Sequence, residues 1–202
     1  MNIDISAAKE GLVAVARKYA PKIRRATTIL GKIEIRRRRQ VGDRYLEDFP
    51  RIIQLDDYSC GLQCALMVLR YFGVRMARPE VRKRLHTDTD GTAAPELRSL
   101  FRGLGFQVGS MRSSLRTTIR NSIDKGAPLI MGVDGNSPHW VVVYGYGPGR
   151  IYIADPSLAR KLSAFETWDR FKERADGYGM SIKVPLYAKC AAQHTGTIIT
   201  VE

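Results

Sequence analysis

The sequence predicts an α+β fold, with helices in the first half of the main body and an antiparallel sheet in the second. Three observations predict it. The chain has 202 residues (22.7 kDa) and is 44% hydrophobic, enough to bury a core of ordinary size. Residues 51–105 repeat their apolar positions at helical spacing, and beyond Pro128 the texture changes to short β-branched and aromatic runs separated by glycine and proline.

The first element is an amphipathic helix over Ile5 to Tyr19, where Ile5, Ala8, Leu12, Val15 and Tyr19 recur at three- and four-residue steps before Pro21 stops the pattern. It belongs to a basic arm, residues 1–49, that runs through Arg36-Arg37-Arg38-Arg39 and Gly42 to a boundary at Pro50. Leu62 to Phe72 is apolar almost all the way round and is closed by Gly73, so it is expected as a buried helix. Pro79 to Leu85 and Pro95 to Leu104 each carry proline in the first turn, and the second ends at Gly105, so both read as helices. Strands follow over Leu129 to Val133, His139 to Tyr146, Arg150 to Ala154, Met180 to Leu186 and Thr197 to Val201, with Gly147-Pro148-Gly149 as a turn. A site belongs most naturally at the junction of helices and sheet.

Charge and cysteine count narrow the function classes. Lys and Arg number 33 against 20 Asp and Glu, giving a net charge of +13 and a pI of about 10.0. Residues 17–39 hold ten Lys or Arg and one acid, Glu34, and such segments bind phosphate or acidic protein surfaces. Tyr19 is their only aromatic, which leaves nothing for bases to stack on. The longest apolar runs, such as Ala65 to Leu69, fall far short of the roughly 18 residues a bilayer span needs. Gly11 to Ala16 is too short for a secretory signal, and three cysteines cannot complete a disulfide framework, so a reducing, cytoplasmic setting is expected.

Cys60 directly precedes the buried helix. A sulfur there meets unpaired backbone N–H groups and the positive end of the helix dipole, which stabilise a thiolate. Cys64, one turn further in, reads as a small buried hydrophobe. Cys190 and His194 could both touch a metal, but two ligands do not make a zinc site, so no metal or cofactor is expected. Of the three histidines, His86 ends a charged helix and His194 lies in a polar tail. His139 instead opens the most hydrophobic strand, where a sheet end would hold its ring rigidly.

If Gly147, Pro148 and Gly149 form a three-residue loop, Tyr146 faces Arg150 and Val141 faces Asp155. His139 and Asp155 then share one face as diagonal neighbours about 7–8 Å apart at Cβ, within reach of a carboxylate-to-imidazole hydrogen bond. A loop one residue longer would put them on opposite faces. The competing reading of Asp155 is a turn cap before Pro156. Gln54, six residues before Cys60, could combine its side-chain amide with the Cys60 N–H as an oxyanion hole, although a surface glutamine has the same spacing. A Cys at a helix start, a His on a strand and an orienting carboxylate follow the logic of a catalytic triad with sulfur as nucleophile. Asp88-Thr89-Asp90-Gly91 echoes a calcium loop without its closing Glu and reads as a turn. Trp140 could roof the imidazole or be a core tryptophan.

With Gln54-Leu55-Asp56-Asp57-Tyr58-Ser59-Cys60-Gly61, then Gly91-Thr92, Gly105-Phe106, Pro128-Leu129-Ile130, His139-Trp140-Val141 and Asp155-Pro156, the chain resembles the bacteriocin-processing cysteine peptidases over about residues 50 to 172. The resemblance implies a papain-like fold for residues 50–202, a Cys60 nucleophile, a His139 base, an orienting Asp155 and an oxyanion donor at Gln54. It also implies a peptide substrate, which that family cleaves after a double glycine. The sequence shows no transporter segment and no phosphate-binding loop. Two alternatives stand beside it: a papain-like effector or toxin that cleaves or deamidates a protein, and a non-catalytic basic module that binds nucleic acid or an acidic partner.

Overall fold

The computed structural model describes residues 42–111, 113–135, 139–157 and 165–184. The expected helix at 5–19, the basic segment 17–39, Cys190, His194 and the strand at 197–201 lie outside the described residues. Along the chain the elements are β1 (Arg44–Tyr45), α1 (Cys60–Tyr71), α2 (Arg78–Arg84), α3 (Ala94–Gly103), β2 (Gln107–Ser110), α4 (Leu115–Ile123), β3 (Leu129–Val133), β4 (His139–Tyr146), β5 (Arg150–Ala154), β6 (Phe165–Thr167), α5 (Trp168–Arg174) and β7 (Ala175–Lys183). The fold is α+β, with helices first and most of an antiparallel sheet second.

Among the described residues the strands form one seven-stranded sheet in the order β2-β7-β3-β4-β5-β6, and β1 pairs with β4. Arg44 and Tyr45, inside the span read as the arm, pair with Tyr146 and Gly145, and the Tyr152 hydroxyl donates to Asp43 Oδ2 at 2.6 Å. β3 is buried along its whole length and β4 from Val141 onward, which explains why neither alternates apolar with polar residues there.

α1 packs on β4, and every residue from Cys60 to Leu69 is buried. This is why its sequence shows no polar face. Leu62, Leu66, Met67, Val68 and Leu69 each gain about 1.5–3 kcal/mol from that burial. The helix stops where Gly73 takes φ +80°, with its N–H bonded to Arg70 O and the Val74 N–H to Leu69 O.

The β4–β5 hairpin differs from the expected one in two places. Gly147 N–H donates to Arg150 O at 2.8 Å, so the loop is the two residues Pro148-Gly149 rather than three. The pairing then shifts by one residue between Val143 and Gly145, a bulge at Tyr144. Each change alone would invert the facing of the strand end. Together they restore it, because Val142 pairs with Ala154 and Asp155 follows in the register that a three-residue loop without a bulge would have given.

Candidate active site

Three segments converge at one end of the sheet: the loop before α1, the first residue of β4 and the residues just past β5. The loop is organised by Asp56, whose Oδ1 accepts the backbone N–H groups of Ser59 at 2.7 Å and Tyr58 at 3.3 Å. Partial burial pushes the Asp56 pKa up, but hydrogen bonds from Ser59 and Tyr58 and the nearby Arg78 guanidinium outweigh it and leave the pKa below the ordinary value. This anchored turn delivers Ser59 as the residue before the helix and Cys60 as its first residue. No side chain caps α1 and its first turn holds no acid, so its leading N–H groups stay available to an anion.

The helix start lies close to its neighbours. A Cβ on Gly61 would sit 2.6 Å from Thr92 Cβ and 3.1 Å from Trp140 Cδ1, so only glycine lets the backbone come this near. Trp140 is fixed there by its Nε1–H, which donates to Thr92 O at 2.9 Å, while the Thr92 and Thr87 hydroxyls share a hydrogen bond of 2.8 Å. The indole therefore covers the flank of Gly61, beside Cys60.

His139 is half-buried, and its Nε2 lies 2.7 Å from Asp155 Oδ1. A carboxylate can only accept, so Nε2 carries the hydrogen and Nδ1 is the nitrogen left for other work. Cys60 lies near enough to the same ring to raise its pKa. Burial is the largest single influence on the imidazole and lowers its pKa, yet the hydrogen bonds and charges of Asp155 and Cys60 together raise it from 6.5 to about 9. Asp155 is buried, and its Oδ1 also accepts the Ser157 N–H at 2.8 Å.

Gln54 is buried and tied to this end of the sheet, because its backbone N–H donates to Pro156 O at 2.9 Å. Its side-chain Nε2 donates to Asp56 O at 2.7 Å, so one of its two amide hydrogens is committed to the loop. The structure thus pairs His139 with Asp155, brings Cys60 near enough to influence the same ring, and sets Gln54 in the loop before Cys60.

The other candidates sit elsewhere. The Cys64 thiol donates to Trp140 O at 3.2 Å, and burial, with the charges of Cys60 and Asp155 adding to it, raises its pKa well above the usual value. It is a protonated core thiol. The His86 side chain is 75% exposed and pairs with Glu96 at 3.1 Å. Asp88 to Gly91 closes on itself as a tight turn, with the Asp90 N–H on Asp88 Oδ1.

Sequence reading missed the charged residues behind Asp155. Arg174, only 11% exposed, makes a two-pronged bond to Asp134 (2.9 and 3.0 Å), a bond to Glu166 and a longer contact of 3.7 Å to Asp155 Oδ2. Its place in the charged run Lys172-Glu173-Arg174 reads as a solvated helix face, and no local signal marks it as buried.

Among the described residues no helix is long and apolar enough to cross a membrane. Comparison with known proteins places the architecture. The chain is 32% identical over 111 residues to the lactococcin-G-processing and transport ATP-binding protein LagD of Lactococcus lactis, covering 54% of this chain and 16% of that one. It is 29% identical over 126 residues to the transport/processing ATP-binding protein ComA of Streptococcus pneumoniae, covering 61% and 17%. The chain thus matches about a sixth of the length of these relatives. It shares its fold with the crystal structure of the peptidase domain of Streptococcus ComA, at a TM-score of 0.59 and 23% identity over 68% of this chain and 99% of that one. It shares it likewise with a double glycine motif protease solved with a leader peptide, at 0.59 and 22% over 72% and 100%. The family model described as the Peptidase C39 family matches residues 48–173, which includes all three segments of the candidate site, and the chain belongs to that family.

Proposed function

We propose that this chain is a cysteine peptidase in which Cys60 is the nucleophile, His139 the acid and base, Asp155 its orienting partner and Gln54 an oxyanion donor. The observation that carries the reading is the His139 ring, whose Nε2 is hydrogen-bonded to buried Asp155 and whose pKa is raised by both Asp155 and Cys60. With Nε2–H held by a buried carboxylate, proton traffic runs through Nδ1. The sulfur attacks the scissile carbonyl, an S–C bond forms, and the negative charge moves to oxygen between the Cys60 N–H and the uncommitted hydrogen of Gln54 Nε2. As the C–N bond breaks, Nδ1–H protonates the departing amine. The neutral ring then takes a proton from water, hydroxide attacks the thioester, the S–C bond breaks and the thiolate and imidazolium are restored. A pKa of about 9 keeps the imidazolium available at neutral pH for the amine.

The substrate class we propose is a leader-type peptide with small residues before the scissile bond, on the likeness to the double glycine motif protease and to the peptidase domains of processing transporters. The test is cleavage of a fluorogenic leader peptide ending in Gly-Gly. The wild-type chain releases the fluorophore and Cys60→Ala does not; cleavage retained by Cys60→Ala would remove the proposal.

A further inference from the structure

We propose that Arg174 is a positioning residue for the His139–Asp155 pair, its guanidinium tying the carboxylate behind the imidazole to the turn that leads into the imidazole's own strand. The inference rests on the peptidase reading above and extends it to a residue outside the four that touch the chemistry. Arg174 lies one residue beyond the stretch matched by the family model.

Asp155 divides its two oxygens. Oδ1 takes the His139 Nε2–H at 2.7 Å and the Ser157 N–H at 2.8 Å, and Oδ2 lies 3.7 Å from Arg174 Nη2. Both of those bonds fall on Oδ1, and the guanidinium faces Oδ2, so the cation adds a charge contact on the side of the carboxylate away from the ring. The same guanidinium grips Asp134 with two bonds, and the Asp134 N–H donates to Arg174 O at 2.8 Å. Asp134 holds the left-handed conformation, φ +61°, where β3 turns toward β4, one residue past Val133, the partner of His139 in the sheet. One side chain therefore holds both what precedes His139 in the chain and what pairs with it in space.

Arginine suits this place and lysine does not. Three acids, Asp134, Glu166 and Asp155, converge on one buried cation, and only a planar fork with five donors can address three carboxylates in fixed directions. A structural clamp would also be buried and paired, so the test must read something a clamp leaves alone.

That readout is the titration of the His139 ring, followed by NMR in the full chain and independent of any substrate. Arg174→Lys keeps the charge and removes the fork. In the wild type the ring titrates near 9, set by Asp155 and Cys60. In Arg174→Lys we expect it to move down toward 6.5, with the rate of Cys60 alkylation by iodoacetamide falling on the order of 10-fold, in line with the loss of other outer-shell partners. In an Asp155→Asn background the same substitution should shift nothing further. Should Arg174→Lys not fold, Glu166→Gln, which removes another anchor of the guanidinium, is read in the same cycle. A ring that titrates at the wild-type value in Arg174→Lys, or an equal further shift in the Asp155→Asn background, overturns the inference. Cleavage by Cys60→Ala would overturn the peptidase reading instead and leaves the titration result as it stands.

Discussion

Gly61→Ala tests how tightly the start of the buried helix is set. The added methyl would fall 2.6 Å from Thr92 Cβ and 3.1 Å from Trp140 Cδ1, where an ordinary contact is at least about 3.4 Å, so Thr92 or the helix start must yield by close to 1 Å. Thr92 is held by its hydroxyl bond to Thr87 and by the indole on its carbonyl, so the helix moves at least in part. Overpacking of this kind costs about 1–3 kcal/mol. Cys60 is the adjoining residue, and a displacement near 1 Å at a reacting group costs on the order of 100-fold in rate. The assay pairs thermal melting with the iodoacetamide rate of Cys60. Both should fall, and Thr92→Gly, which removes the clashing carbon, should cost less in the Gly61→Ala background than in the wild type. A Gly61→Ala variant with wild-type melting and wild-type Cys60 reactivity would refute the reasoning.

Asp155→Asn removes the charge that holds the His139 imidazolium, whose rise from 6.5 to about 9 corresponds to roughly 3 kcal/mol shared with Cys60. Cleavage should fall on the order of 100-fold and its upper pH limb should move down from about 9, measured as a pH–rate profile. Because the folded pKa is the raised one, His139 stabilises the fold fully below pH 6.5 and ceases to as pH climbs through about 9; melting temperatures across that window should converge in the Asp155→Asn variant. Tyr152→Phe deletes the hydroxyl that donates to buried Asp43 at 2.6 Å, and should cost about 1–3 kcal/mol by chemical denaturation while leaving the specific activity of the folded fraction unchanged.

How much of this was legible varies by element. The buried helix was visible because its environment is uniform, with ten buried residues in succession and a glycine stop at φ +80°. β3 and β4 were visible for the same reason. β7 was expected only from Met180, yet it begins at Ala175. Its first part is polar and glycine-rich, and its pairing skips from Val133–Ala175 to Met131–Gly179 around Gly177 at φ +72°. Helix α4 offers only Leu115, Ile119 and Ile123 at four-residue steps in a polar segment, and β1 is two residues long.

The candidate site was legible in its parts because each part has a local signature: a cysteine before a buried helix, a histidine at the head of an apolar strand, an acid before a proline. The facing of His139 and Asp155 followed from a loop and a strand that each depart by one residue from the assumed geometry in compensating senses. Arg174 had no such signature. Its partners Asp134, Asp155 and Glu166 lie in or just after three different strands and meet around it only in the fold.

The most direct measurement is competitive thiol labelling of the native chain at pH 7 with limiting iodoacetamide, followed by peptide mapping, in the wild type and in His139→Ala. Both thiols are buried, but that of Cys64 is held protonated, so Cys60 should be labelled ahead of it, and the Cys60 rate should drop when the ring is removed. A Cys60 that reacts at the same rate without His139, or no faster than Cys64, would contradict the pairing of sulfur and imidazole at the centre of the account.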